Sequence, residues 1–179
     1  MATNKKHLQL LNQGVKSWNE WRKQNPEIKV DFSMENFFGA NLKGFDLRGL
    51  NLYKSNLIGA NLCGANLHKV NLIDADLLGA DLSKTDLRGT MLDLANLRGA
   101  KLLEADLRRA TLTGADLTGA NFTGANLTGA DLIEAKIIHT NFERANLAGC
   151  MVYGISAWDL NLKGATQSDL IITHKGILP

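Results

Sequence analysis

The side chains able to do chemistry are scattered along the sequence. The four histidines, His7, His68, His139 and His174, stand in four different settings, and none has a cysteine at metal-ligand spacing. Two cysteines, Cys63 and Cys150, are too few for a disulfide framework. No serine sits in a Gly-x-Ser-x-Gly elbow, and neither a phosphate-cradling loop nor Gly-x-Gly-x-x-Gly is present. Asp76, Asp81 and Asp86 invite a carboxylate metal site. Asn121-Phe122-Thr123 and Asn126-Leu127-Thr128 match the glycosylation pattern. These features recur every five residues, so they belong to a repeat rather than to a site. The expectation is a chain that is not an enzyme and has no catalytic residues, no cofactor and no metal.

Composition points the same way. The 179 residues are 45% hydrophobic, 21% charged and 6% aromatic, with 20 basic and 18 acidic residues and a net charge of +2. That balance excludes acidic disorder and a strongly basic nucleic-acid binder. No apolar run follows the first lysines, and no stretch of 18 apolar residues exists. A soluble protein of the reducing cytoplasm, without membrane contact, is expected.

The elements that position these side chains come from the repeat. Positions 32, 37, 42 and onward to 162 number 27, of which 20 are Leu and 4 are Phe (Phe32, Phe37, Phe122, Phe142), with Ile137, Val152 and Ala157 completing the set. Call this slot the centre. Two residues before it, 15 of 27 are Ala; one before it, 13 are Asn and 8 are Asp; two after it, 15 are Gly. A period of five fits neither the helix nor the strand period. The chain must therefore turn once per five residues. Strand alternation puts the centre and the Ala slot on one inward face. The Asn/Asp slot and the residue after the centre point outward, and Gly makes the corner.

The units Ala60-Asn61-Leu62-Cys63-Gly64 and Ala125-Asn126-Leu127-Thr128-Gly129 resemble the pentapeptide repeat family. The stretch from Val152 to Thr173 resembles its cyanobacterial-type members. The resemblance implies an all-β solenoid, a right-handed quadrilateral β-helix with four pentapeptides per coil. The repeat would then make about seven coils, a rod of roughly 30 Å at the strand spacing. Phe122 and Phe142, 20 residues apart, would stack in adjacent coils.

Solenoid ends need covers. Lys5 to Gln24 reads as one α-helix, with Leu8, Leu11, Val15 and Trp18 on one face and Pro26 as its stop. The expected organisation is a helical cap over residues 1–29, the β-helix over 30–164, and a C-terminal cap or tail over 165–179. The repeat pattern fails at Gln167. The last coil is either closed by residues 165–174 or shared with a second copy in a homodimer.

Four units per coil also sort the surface into sides. The side with centre Leu47 carries Arg48, His68, Arg88 and Arg108 as a stacked basic ladder, joined by Lys69 and Arg109. Asp46, Asp86 and Asp106 on the same face neutralise it, the alternative being an anion or acidic-partner site. The sides with centres Phe32 and Phe37 carry −4 and −2, and those with centres Leu42 and Leu47 carry +2 each. On the acidic sides Phe38, Ile58 and Leu78 stack beside Tyr53 and Ile73, a contiguous apolar surface. Either the N-terminal helix folds over it, or a second copy or another protein docks there. The leading expectation is a non-enzymatic scaffold presenting a rigid face to a protein partner. Some family members mimic DNA on a type II topoisomerase such as gyrase by being strongly acidic rods. Two basic sides disfavour that alternative, and direct nucleic-acid binding is not expected.

Overall fold

The structure, a computed structural model, describes residues 2–172. Expectations for residues 173–179, including His174 and the end of the tail, lie outside the described residues. The chain opens with two helices, α1 (Ala2–Leu11) and α2 (Val15–Gln24). The single helix expected over residues 5–24 is thus broken. Gly14 adopts φ 97, outside the right-handed helical region, and starts α2 as its N-cap.

From Asp31 onward the backbone forms a parallel bridge once every five residues, always with the residue twenty positions on. One column runs Asp31, Asn51, Asn71, Met91, Thr111, Asp131, Met151, Ile171; the other three start at Asn36, Asn41 and Asp46. One turn therefore has four sides. The pairing is continuous enough to form named strands at β1 (Lys136–Ile138) and β2 (Ser156–Trp158), with Lys136 opposite Ser156. Bridging continues through Asn146–Thr166 and Met151–Ile171, beyond Gln167, where the side-chain pattern fails.

The unit around Leu57 shows why this sequence takes this path. Its five backbone donors all find acceptors. Asn56 donates to Glu35 in the coil before (3.0 Å). Leu57 and Gly59 donate to Asp76 and Leu78 in the coil after (2.7 and 2.9 Å). Ala60 closes the turn onto Leu57 (3.0 Å). The fifth, the Ile58 N–H, donates to Asn56 Oδ1 at 3.1 Å. That last bond is the reason for Asn or Asp in its slot: a short side chain bearing oxygen serves the one donor the ladder leaves over. Position 111 is threonine, and Asp93 from the coil before takes over, accepting from the Thr113 N–H and from the Thr111 hydroxyl.

The corner needs a left-handed residue, as a type II turn does. Gly59 has φ 63 there, but Lys54 (φ 53), Leu94 (φ 60) and Arg109 (φ 58) hold the same conformation without glycine's freedom. The interior is a stack of leucines such as Leu62, Leu87 and Leu107, all fully buried. Burying each is worth roughly 1.5–3 kcal/mol. The threonine hydroxyls that replace inward alanines donate to a centre carbonyl in the coil before: Thr85 to Leu62 (3.0 Å), Thr90 to Leu67 (2.7 Å) and Thr140 to Leu117 (2.9 Å), whereas Ser55 Oγ in the same slot is buried without a partner. Phe122 and Phe142 stack with ring centroids 5.1 Å apart, as their spacing predicts.

Helix α2 lies on the first coil. Trp18 is fully buried, 6.0 Å from the Phe32 ring, which meets Phe37 edge-on at 5.7 Å. Its polar side chains take the edge groups that a preceding coil would have taken. Trp18 Nε1 donates to the Asp46 carbonyl (2.8 Å), and Arg22 Nη2 to the Arg48 carbonyl (2.7 Å). The Asp46 N–H donates to Asn19 Oδ1 (2.8 Å). At the far end the inward side chains Val152, Ile155, Leu160 and Leu162 are only half-buried.

Candidate interaction surfaces

Because one coil is twenty residues, outward side chains twenty apart form columns about 4.8 Å apart per step. On the Leu47 side Arg48, Arg88 and Arg108 are each bound to the aspartate two residues before them. Arg48, Arg88 and Arg108 donate through Nε and Nη2 to Asp46, Asp86 and Asp106, with closest contacts of 2.6, 2.7 and 2.7 Å. Hydrogen bonds from Arg88 and Arg108 hold the Asp86 and Asp106 carboxyls below the usual carboxylate range. Burial pushes Asp46 the other way, but Arg48's hydrogen bonds and charge outweigh it. The aspartates also cap the backbone N–H of their arginines, so one carboxylate performs both tasks.

His68 departs from the ladder. It has no aspartate two residues before it, and its Nδ1 is buried without a hydrogen-bond partner. Lys69 and Arg109, at the adjoining corner, make no ion pair among the described residues. Two shallow grooves run along this edge and share His68 and Lys69. One continues to Arg22 and Glu27, the other to Arg108 and Arg109. No signal in the sequence pointed to Arg22, which is 5% exposed, and burial lowers its pKa.

The apolar surface lies elsewhere. Phe38 is 68% exposed and Leu78 41%, while Tyr53, Ile58 and Ile73 are half-buried. Helix α2 does not cover Phe38; its side-chain hydrogen bonds to the first coil reach Gly44, Asp46 and Arg48, on the sides with centres Leu42 and Leu47. The ridge between the two apolar columns holds Met34 (70% exposed) and Leu94 (61%), with the Lys54–Asp74 ion pair (3.3 Å) between them. Met34 and Leu94 were missed because they stand in the corner slot, read only as a turn. An apolar residue in a glycine slot was the available signal. Lys54 lies 5.2 Å from the Tyr53 ring centroid.

Among the described residues no group of three or more His, Cys, Asp or Glu side chains gathers to hold a metal ion. Asp76, Asp81 and Asp86 fall on successive sides of the turn. No described helix is long and apolar enough to cross a membrane. Cys63 is half-buried; Cys150 replaces an inward alanine, and burial pushes its thiol up to about 11.

The family model for pentapeptide repeats matches eight copies, over residues 36–68, 51–89, 92–129 and 125–155. No curated protein sequence matches significantly. Among solved structures the chain is similar to HetL, a pentapeptide repeat protein involved in heterocyst differentiation regulation in the cyanobacterium Nostoc. Identity is 37%, over 77% of this chain and 67% of that one, with a TM-score of 0.52. A second Nostoc pentapeptide repeat protein is 30% identical over 77% of this chain and 94% of its own, with a TM-score of 0.32. One from the Arabidopsis thaliana thylakoid lumen is 40% identical over 56% and 66%, with a TM-score of 0.33. Family model, identity and the twenty-residue ladder agree: the chain belongs to the pentapeptide repeat family and takes its right-handed quadrilateral β-helical fold.

Proposed function

We infer that this chain is a non-enzymatic interaction module, a β-helix of about seven coils closed at its N-terminal end by α1 and α2, which presents one face to a protein partner. The docking face is the surface of Phe38, Tyr53, Ile58, Ile73 and Leu78, extended by Met34 and Leu94. The observation that carries this reading is the exposure of Phe38 and Leu78, two coils apart in one column, on a rod whose helix α2 bonds to other sides. Apolar side chains aligned over about 10 Å of rigid sheet favour association. HetL's part in regulating differentiation is compatible with such a module. A DNA-mimic role on gyrase fits poorly with two basic sides and a net charge of +2, and a supercoiling assay separates it.

Changing Ile58 and Leu78 to Ser tests the face. The expected result is an unchanged melting temperature and mass, with loss of the protein captured by the parent in a pull-down from its host. Loss of a dimer in light scattering would instead make a second copy the occupant. A variant that still captures every partner of the parent would remove this face from consideration.

A further inference from the structure

The grooves on the Leu47 side divide into neutralised and unneutralised charge. Arg48, Arg88 and Arg108 each engage an aspartate through Nε and Nη2, which leaves Nη1 without a hydrogen bond among the described residues. Lys69 and Arg109 have no ion pair among the described residues. They occupy the same corner two coils apart, about 10 Å at the strand spacing. Glycines alternate with them. A Cβ built on Gly89 would lie 3.6 Å from Lys69 Cγ, and one on Gly129 would lie 3.9 Å from Arg109 Cγ. Each long side chain therefore runs along the corner over a glycine, and the glycines keep the groove floor low. His68, Arg88 and Arg108 line the groove beside them.

We propose that this groove binds an acidic polypeptide segment carrying two carboxylates about 10 Å apart, one on Lys69 and one on Arg109, with the free Nη1 groups of Arg88 and Arg108 between them. A polyproline II segment presents residues i and i+3 on one face about 9 Å apart, which matches. Nucleic acid fits less well. Its continuous phosphates would also meet Asp86 and Asp106, and two unpaired cations release too few counterions to hold it. The site does not rest on the apolar-face reading, since the Ile58→Ser, Leu78→Ser variant should bind the same peptide as well as the parent does.

The test is fluorescence anisotropy on the full chain, with a labelled Glu-Pro-Pro-Glu-Pro-Pro-Glu peptide as probe. Binding should weaken with salt, and the same peptide with Gln for Glu should bind at least about fivefold less tightly. The double variant Lys69→Gly, Arg109→Gly removes both cations and puts glycine at corners with φ 56 and 58, which glycine adopts without strain. It should remain folded, melt no lower than the parent, and bind the peptide about tenfold less tightly. The proposal is overturned if the folded double variant binds as the parent does, or if the Gln peptide binds equally well. Equal or tighter binding of a short DNA duplex also overturns it, as does the absence of peptide binding at low salt.

Discussion

Replacing Gly99 with alanine isolates the conformational energy of the corner. Gly99 has φ 62, and a Cβ built on it meets no heavy atom within 4 Å, so no steric clash contributes. The left-handed conformation costs an L-residue about 1–2 kcal/mol. Alanine also restricts the unfolded chain, which returns about 0.4–1 kcal/mol. The net expectation is a loss of about 0.5–1 kcal/mol, or about 1–4 °C in melting temperature for a chain of this size. Arg109→Gly is the reciprocal change. It frees a corner at φ 58 with no ion pair to lose, and should stabilise by a similar amount. Urea unfolding of both variants, compared at unchanged m, measures the two effects. If Gly99→Ala unfolds at or above the parent midpoint, or Arg109→Gly below it, the corners are not strained and glycine is there for another reason.

Leu87→Lys buries a charge with no partner in the middle of the stack and should cost several kcal/mol, read as a large drop in urea midpoint. Trp18→Ala should cost about 3–5 kcal/mol and expose the Phe32 ring, so dye binding to apolar surface should rise with the loss of stability. Asp86 and Asp106 are held below their unfolded pKa of about 4, so the stability they add is complete above that pH and is lost as pH falls through their lower native values. Melting temperature should therefore fall on acidification from about pH 4, and an Arg88→Gln, Arg108→Gln variant should lose less over the same range. With Cys150 buried and its thiol near 11, a thiol reagent at pH 8 should modify it only after unfolding, as mass spectrometry of labelled peptides would show.

The period of five was legible because side-chain type and backbone turn share it; Leu62 and Ala60 are buried where alternation placed them. The sides of the rod followed only once four units per turn was supplied by the family resemblance, since spacing alone does not count sides. Phe38, Ile58 and Leu78 then fell into one column. The break at Gly14 was hidden because the apolar positions keep helical spacing across it. The continuation to Ile171 was hidden for a different reason. The ladder is made of backbone groups, so Thr166 bridges Asn146 although Gln167 is no core residue. Arg22 carried no signal because polar side chains on an amphipathic helix usually face water; here its guanidinium serves the Ile28 and Arg48 carbonyls.

The twenty-residue ladder turns chain length into angle. In a unit such as that around Leu57, every backbone donor is served from within the unit or from one full turn away, so such units can follow one another in any order. Inserting or deleting twenty residues would lengthen or shorten the rod and leave every face aligned. Inserting or deleting five would preserve the core just as well, yet rotate everything downstream by a quarter-turn. Phe38 and Ile58 would then no longer share a column with Leu78 if the change fell between Ile58 and Leu78. Gene changes in units of fifteen bases can thus redirect which residues this rod displays together without touching one buried contact type, a phase dial for surface recognition that a globular core does not possess.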